Sequence, residues 1–305
     1  MKFLITGSCG FIGRYLYKYL KEKGEEVYGI SGIECETSEK ILIIGRDDLS
    51  IIADYKPDIV FHLAGQSHVG ESWQQFKQTY NVNFLGTVEV LEALASAKLK
   101  PVFVLASSAE VYGNVPKKHQ PIKEKTPASP LSHYGVSKLA AEEAALFYRK
   151  VYGIKSIIVR FFNQIGPGQS PKFAAPSFAK RIAEAEKGLR KPVLEVGNLE
   201  AIRDFTDVRD GIEALYLLVQ KGKTGEIYNI GSGKIYSIRE ILEILLSFSE
   251  LNFEIKIKKS RFRKTDIPLL WADIGKINKI TGWTPSIPIE KTLYDLLNYW
   301  RERVE

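Results

Sequence analysis

Near its start the chain reads Lys2-Phe3-Leu4-Ile5-Thr6-Gly7-Ser8-Cys9-Gly10-Phe11-Ile12-Gly13. A short, apolar, β-rich run enters a turn with glycine at every third position, and an amphipathic helical pattern continues over 11–22. Few folds accommodate that order. The first glycine allows a tight turn after a strand. The second lets the backbone approach a pyrophosphate, and the third lets the helix pack closely on the sheet. The helix start then offers N–H groups and a partial positive charge to the phosphates. The expectation is a dinucleotide bound through Gly7, Gly10, Phe11, Ile12 and Gly13. A plain β–α turn is the bland alternative.

The rest of the first half agrees with dinucleotide binding. Strand-like runs at 2–6, 27–30, 41–44, 58–62, 102–106 and 156–161 alternate with helical patterns, notably at 79–97 and 134–152. Strands alternating with helices predict a parallel sheet covered on both faces, a doubly wound Rossmann-type α/β fold. After Asn163 the pattern changes. Gly166-Pro167-Gly168 and Pro171 break the alternation, and helices near 176–187, 207–220, 237–248 and 289–303 are separated by short strand-like runs. That predicts a smaller mixed α/β domain. The expected division is 1–163 for the dinucleotide, with a returning segment near 205–230, and 164–204 with 231–305 for the substrate. A cleft between them is the expected ligand site.

Composition excludes several alternatives. Of 305 residues, 45% are hydrophobic and 26% charged, as in soluble globular chains. The longest apolar runs have strand length, far short of a membrane span. Gly7 and Ser8 cut the first apolar run too early for a signal peptide, so a cytoplasmic location is expected. Cys9 and Cys35 form no CxxC and no Cys/His cluster, so neither a disulfide framework nor a zinc site is indicated. Net charge is +7, and basic residues gather in the run KIKKSRFRK at 256–264. That run reads as a solvated face, as a nucleic-acid contact, or as a pocket for a phosphate-bearing ligand.

The dinucleotide type turns on the end of the second strand. An acid there would bind a ribose 2′-hydroxyl, but Val27-Tyr28-Gly29-Ile30 runs into Ser31-Gly32. Ser31 tolerates a 2′-phosphate, with Arg14 or Arg46 to pair it. That leans to NADP(H) over NAD(H). Asp48 and Leu49 suit contacts around the adenine.

The chemistry centres on two places. The run Val102-Phe103-Val104-Leu105 ends in Ala106-Ser107-Ser108-Ala109-Glu110. Ligands of a doubly wound sheet sit outside the carboxyl ends of its strands, so Ser107, Ser108 and Glu110 are expected to face the cofactor. Tyr134 begins the next helix, and Lys138 lies one turn on, on the same face. A free tyrosine has a pKa of about 10. A lysine ammonium and a cationic nicotinamide ring are expected to lower it. Tyr134 would then exchange a proton with a substrate oxygen that Ser108 holds, and Lys138 would also reach the nicotinamide ribose. Tyr17/Lys21 and Tyr19/Lys23 repeat the spacing with no serine-ended strand before them. They read as solvated surface.

Together TGSCGFIG, HLAG, SSAEVYG and YGVSK resemble the extended short-chain dehydrogenase/reductases, in their sugar-nucleotide branch. RFFNQIGPGQ at 160–169, GNLEAIRDFTDVRD at 197–210 and Thr281-Gly282-Trp283-Thr284-Pro285 look like GDP-4-keto-6-deoxy-D-mannose reductases. The resemblance implies Ser108, Tyr134 and Lys138 as a catalytic triad, and Leu63, Ala64, Gly65 and Phe161 at the cofactor. It also implies Asn163 beside substrate and nicotinamide, and Asn198, Arg203, Arg263 and Asp266 on the nucleotide diphosphate and ribose. The basic run thereby acquires a role that displaces nucleic acid. A homodimer through a four-helix bundle is implied too, with Leu139, Ala140, Ala144 and Phe147 giving apolar surface. The expected reaction is NAD(P)H-dependent reduction at C4 of a GDP-4-keto-6-deoxy-hexose.

Two departures keep other reactions open. Glu110, two residues after Ser108, and His68 look like GDP-mannose 4,6-dehydratase, where such a carboxylate takes a proton from C5. A structural carboxylate at the sheet edge is the plain alternative for Glu110. The glycine turn and IGPGQ favour the reductase, while Gln164 stands where both groups usually show histidine. A nucleotide-sugar 4-epimerase is a third reading. A non-catalytic cofactor sensor is a fourth, opposed by the intact Ser/Tyr/Lys set.

Overall fold

The computed structural model describes residues 1–44, 47–262 and 265–305. The chain opens with β1 (Lys2–Thr6), α1 (Phe11–Glu22), β2 (Glu26–Ser31), β3 (Lys40–Ile41), α2 (Ser50–Tyr55), β4 (Ile59–His62), α3 (Val69–Ser72) and α4 (Phe76–Tyr80). A π-helical turn, Asn81–Leu85, leads without a break into α5 (Gly86–Ser96), followed by β5 (Val102–Ser108), α6 (His133–Tyr152) and β6 (Lys155–Phe161). Next come β7 (Asn163–Ile165), α7 (Ala174–Glu186), β8 (Val193–Val196), β9 (Ile202–Asp207), α8 (Val208–Lys221) and β10 (Ile227–Ile230). The chain ends with β11 (Ile235–Ser237), α9 (Ile238–Ser247), β12 (Glu254–Ile257), β13 (Leu269–Leu270), α10 (Gly275–Thr281) and α11 (Ile289–Arg301).

Seven strands form one sheet in the order β10-β6-β5-β4-β1-β2-β3, and every pair is parallel. The Rossmann-type doubly wound expectation is met. Strand side chains alternate between faces, and both faces are covered. Phe3 and Ile5 of β1 join Leu16 and Leu20 of α1 and Leu215 of α8 on one side. Leu4 joins Leu91, Leu94 and Ala141 on the other. All four residues of β4 are buried, which is why the runs read as continuous apolar stretches. The direction of winding reverses between β1 and β4, and that reversal opens a crevice at the strands' carboxyl ends.

A second core gathers Phe178 and Ile182 of α7, Ile241 and Leu245 of α9, and Leu293 and Leu297 of α11. Beside it lie a small sheet, β11-β9-β13 with β7 also paired to β9, and the two-stranded β8–β12. This is the smaller mixed part expected after Asn163.

The structure corrects three expectations. Cys9 and Cys35 are joined by a disulfide, with Cα atoms 5.9 Å apart. They are 26 residues apart in sequence, but β1 and β2 are parallel neighbours with Thr6 beside Ile30. The α1 crossover therefore returns the chain to the glycine turn, and spacing alone carries no sign of that. The strand expected at 41–44 pairs only at Lys40–Ile41, because the Ile43 N–H is taken by Asp47 Oδ2 at 2.7 Å. Tyr17 and Tyr19 are only partly solvated: both are half-buried with their rings against the first core. Their lysines lie over the rings, Lys21 at 5.4 Å and Lys23 at 5.3 Å from the centroids.

Candidate active site

Gly7 has φ +74°, and a Cβ there would lie 2.7 Å from the Ala64 nitrogen. A Cβ on Gly13 would lie 2.2 Å from the Gly7 carbonyl oxygen. Only glycine lets the turn, the 63–64 segment and α1 close on one another. Gly10 at the N-cap has no side chain to cap the first N–H groups of α1, which leaves them available to an anion in the crevice. The residues present fit a dinucleotide pyrophosphate.

A cavity of about 460 Å³ opens over this turn. It brings together most of the residues expected at the cofactor and the chemistry: Gly7, Gly10, Phe11, Ile12, Gly13, Leu63, Gly65 and Phe161, with Ser108, Glu110, Tyr134, Lys138 and Asn163. Four expected cofactor residues lie outside its wall. Ser31 ends β2, Ala64 gives its N–H to Thr6 Oγ1, Leu49 is buried, and Asp48 accepts the Ser50 N–H at the start of α2. Arg46 lies outside the described residues.

Tyr134 and Lys138 are set by a well-capped helix. The Ser132 hydroxyl accepts the Gly135 N–H at the start of α6, and Gly153 closes its end in the left-handed region. Tyr134 is 7% exposed. Burial pushes its hydroxyl up to about 12; the neighbouring Ser108 hydroxyl pulls it down and the Glu110 carboxylate pushes it up. Lys138 does not contribute the expected lowering; its ammonium donates to the Ala106 carbonyl at 2.8 Å. Burial brings Lys138 itself down to about 8, against a pull upward from Glu142.

Ser108 accepts the Glu110 N–H at 3.2 Å. Ser107 reaches the cavity wall, but its hydroxyl is committed to Glu142. Glu142 also takes two hydrogen bonds from Arg160, at 2.9 and 2.6 Å, in a buried ion pair. The histidine of HLAG, His62, bridges Thr6 Oγ1 and Thr87 Oγ1 in the core, and burial holds it neutral with a pKa of about 3.

A second cavity, about 720 Å³, adjoins the first and shares Val69, Asn163, Gln164, Gln169 and Phe173 with it. It is lined by Asn198, Arg203 and Asp266. Asp266 ties the set together, accepting from Asn198 at 2.6 Å and from Arg203 at 3.4 Å. Arg263 lies outside the described residues, but its neighbours Ser260, Arg261 and Phe262 line this cavity. His68 also lines it, and its Nδ1 accepts the Glu71 N–H. Gln164 is buried, with Oε1 lacking a hydrogen-bond partner and packed against Gly211.

Sequence reasoning missed Asn83. It sits in the π-helical turn, accepts the Gln66 N–H at 2.7 Å and donates to Ser137 at 3.0 Å. It thereby holds the HLAG loop against α6. Only the helix irregularity marks it, and no spacing rule shows that.

Solved structures share this architecture. The structure of RMD from Pseudomonas aeruginosa complexed with NADPH matches with TM-score 0.86 and 32% identity over 99% of each chain. A UDP-glucose 4-epimerase with UDP-glucose, from Thermotoga maritima, matches with TM-score 0.91 and 26% identity over all of both chains. The fold is thus the Rossmann type of the short-chain dehydrogenase/reductases. Among curated proteins, a GDP-6-deoxy-D-mannose reductase of Pseudomonas aeruginosa is 34% identical over 99% of this chain and 98% of its own length. The sequence model of the GDP-mannose 4,6 dehydratase family matches residues 4–296, and the chain belongs to that family.

Proposed function

We propose that the protein reduces the C4 ketone of a GDP-4-keto-6-deoxy-hexose, converting GDP-4-keto-6-deoxy-D-mannose to GDP-D-rhamnose with NAD(P)H. The observation that carries this reading is the Tyr134 hydroxyl, buried in the cofactor-side cavity and held protonated up to about 12. A phenol that stays protonated is a donor. The alkoxide formed at C4 is more basic than phenolate, so the proton moves downhill.

Ser108 shares the same oxygen through a hydrogen bond, and Lys138 reaches the nicotinamide ribose from the Ala106 carbonyl. The glycine turn, Leu63, Gly65 and Phe161 hold the dinucleotide, with Ser31, Asp48, Leu49 and Ala64 toward its adenosine end. Bound there, the reduced dinucleotide supplies the hydride for the ketone. NADP(H) is preferred because β2 ends in Ser31 rather than an acid. Asn163 lies beside the sugar, and Asn198, Arg203, Arg263 and Asp266 take the nucleotide. Residues 1–163 with 205–230 serve the cofactor, and 164–204 with 231–305 serve the nucleotide sugar.

The dehydratase reading rests on Glu110, whose carboxylate lines the same cavity and acts on Tyr134. One pair of assays separates the two. The reductase consumes NADPH stoichiometrically with the 4-keto sugar and leaves GDP-mannose unchanged. Loss of water from GDP-mannose without added reductant, read by mass spectrometry, would overturn the pure reductase.

The assembly is a homodimer through α5 and α6. Val136, Phe147 and Val151 of α6 are exposed in the single chain, beside half-buried Leu139, Ala140 and Ala144. No helix among the described residues is long and apolar enough to cross a membrane, and the chain works in the cytoplasm.

A further inference from the structure

The disulfide lies at a place the proposed reaction does not use. Cys9 belongs to the glycine turn, lines the cofactor cavity and is 7% exposed. Cys35 lies in the 32–39 segment after β2, the strand whose end faces the adenosine ribose in this class of sheet. That segment is fastened at its base. Thr37 Oγ1 donates to the Ser8 carbonyl at 2.9 Å, and the Glu39 N–H donates to the Gly29 carbonyl at 3.0 Å. A Cβ on Gly29 would lie 2.1 Å from the Thr37 carbonyl oxygen, so the base presses on β2. Its tip differs. Ile33 is 61% exposed, and Gly32, Glu34 and Glu36 are exposed around it. The covalent bridge from Cys35 holds this tip to the glycine turn.

From this placement we infer that Cys9–Cys35 is a redox modification site, and that closing it preorganises the adenosine half of the dinucleotide site. The inference rests on dinucleotide binding at the glycine turn, not on the identity of the sugar. The reagents are low-molecular-weight thiols and disulfides. In the closing direction, one cysteine thiolate attacks a disulfide such as oxidised glutathione and expels one thiol. The other cysteine thiolate then displaces the second thiol from the mixed disulfide. One S–S bond breaks and one forms; two electrons pass from the protein dithiol to the reagent, and its two thiols leave with the protons. In the opening direction, Cys35 is the less buried of the two cysteines, half-buried between exposed Glu34 and Glu36. Attack there by a thiolate leaves a mixed disulfide on Cys35 and releases Cys9 as the leaving thiolate just before α1, where the helix start stabilises negative charge; a second thiolate then displaces Cys35 and carries away the reagent as its disulfide. In the bridged protein the Cys9 sulfur lies 3.3 Å from the Ile33 carbonyl oxygen, within reach of a weak S–H hydrogen bond once the bridge opens. The tip then regains freedom that cofactor binding must remove again.

The experiment compares the full-length protein after oxidised glutathione and after dithiothreitol. Thiol titration should find none per chain in the first state and both in the second. Calorimetric titration should show NADPH bound about tenfold more weakly by the reduced protein. Turnover at saturating NADPH should agree within about twofold between the states, since the Ser/Tyr/Lys set is untouched. Cys35→Ser should bind NADPH like the reduced protein under both treatments. Equal affinity in the two states, tighter binding after reduction, or thiols that resist oxidised glutathione each overturns the proposal. NADPH binding in neither state overturns the dinucleotide reading and this one with it.

Discussion

At the scale of residues, three pairs in this chain share the Tyr-x-x-x-Lys spacing, and only their surroundings differ. Lys21 and Lys23 spread over their tyrosine rings, whereas Lys138 is drawn under β5 by the Ala106 carbonyl. Tyr134→Phe is expected to bind NADPH normally and lose about 10²–10⁴-fold in turnover of the 4-keto sugar; near-normal steady-state rates would remove Tyr134 from its role. Lys138 also sets a pH dependence. Its pKa of about 8 lies below the ordinary 10.5, so its charge is present below pH 8 and lost above. Tyr134, up at about 12, stays protonated throughout. The kcat/KM for NADPH should therefore fall through one ionisation near pH 8, and a profile flat to pH 10 would contradict this. The same shift makes stability rise with pH between about 8 and 10.5, where the unfolded chain holds the extra proton. Ser31→Asp should raise the KM for NADPH by at least about tenfold and spare NADH, through repulsion of a 2′-phosphate; equal effects on both in steady-state kinetics would refute the 2′-phosphate site.

At the scale of elements, the buried Glu142 carboxylate joins three of them. It accepts Ser107 from β5 and Arg160 from β6 while standing on α6. Arg160 also packs over the Tyr112 ring, 4.6 Å away. Removing one partner leaves a buried charge uncompensated. Glu142→Ala should cost about 3–5 kcal/mol in urea denaturation, and a loss below about 1 kcal/mol would mean the pair is dispensable. The RDFTDVRD run shows what a motif conceals at this scale. Asp204 accepts backbone N–H groups of Ser232, Gly233 and Ala272. Asp207 holds Arg209 and Thr292, and Asp210 holds Ser286 and Ile287. These aspartates fasten distant segments, and Arg203 is the residue of this run that reaches the second cavity with a polar group. The strands and main helices of the first half were legible because an apolar period survives in one sequence. The π-helical turn with Asn83 was not, since nothing in residue order marks an extra residue in a helix.

At the scale of the whole molecule, the apolar side chains exposed on α6 support the dimer proposed above. Phe147 is 54% exposed. Phe147→Glu should convert the proposed dimer to monomer by light scattering while leaving the fold intact by circular dichroism; an unchanged mass would remove α6 from the proposed interface. The sequence by itself determined the doubly wound sheet and the glycine turn, because both depend on local periodicity and on backbone that only glycine permits. It also brought Ser108, Tyr134 and Lys138 to one strand end and one helix start, since those positions follow from chain order in a parallel sheet. Only the tertiary structure decided the protonation of Tyr134 and Lys138, which depends on burial. It alone joined Cys9 to Cys35 and gathered Asn198, Arg203 and Asp266 around a second cavity. These contacts join residues far apart in the chain, and the crossovers that bring them together are properties of the assembled layers.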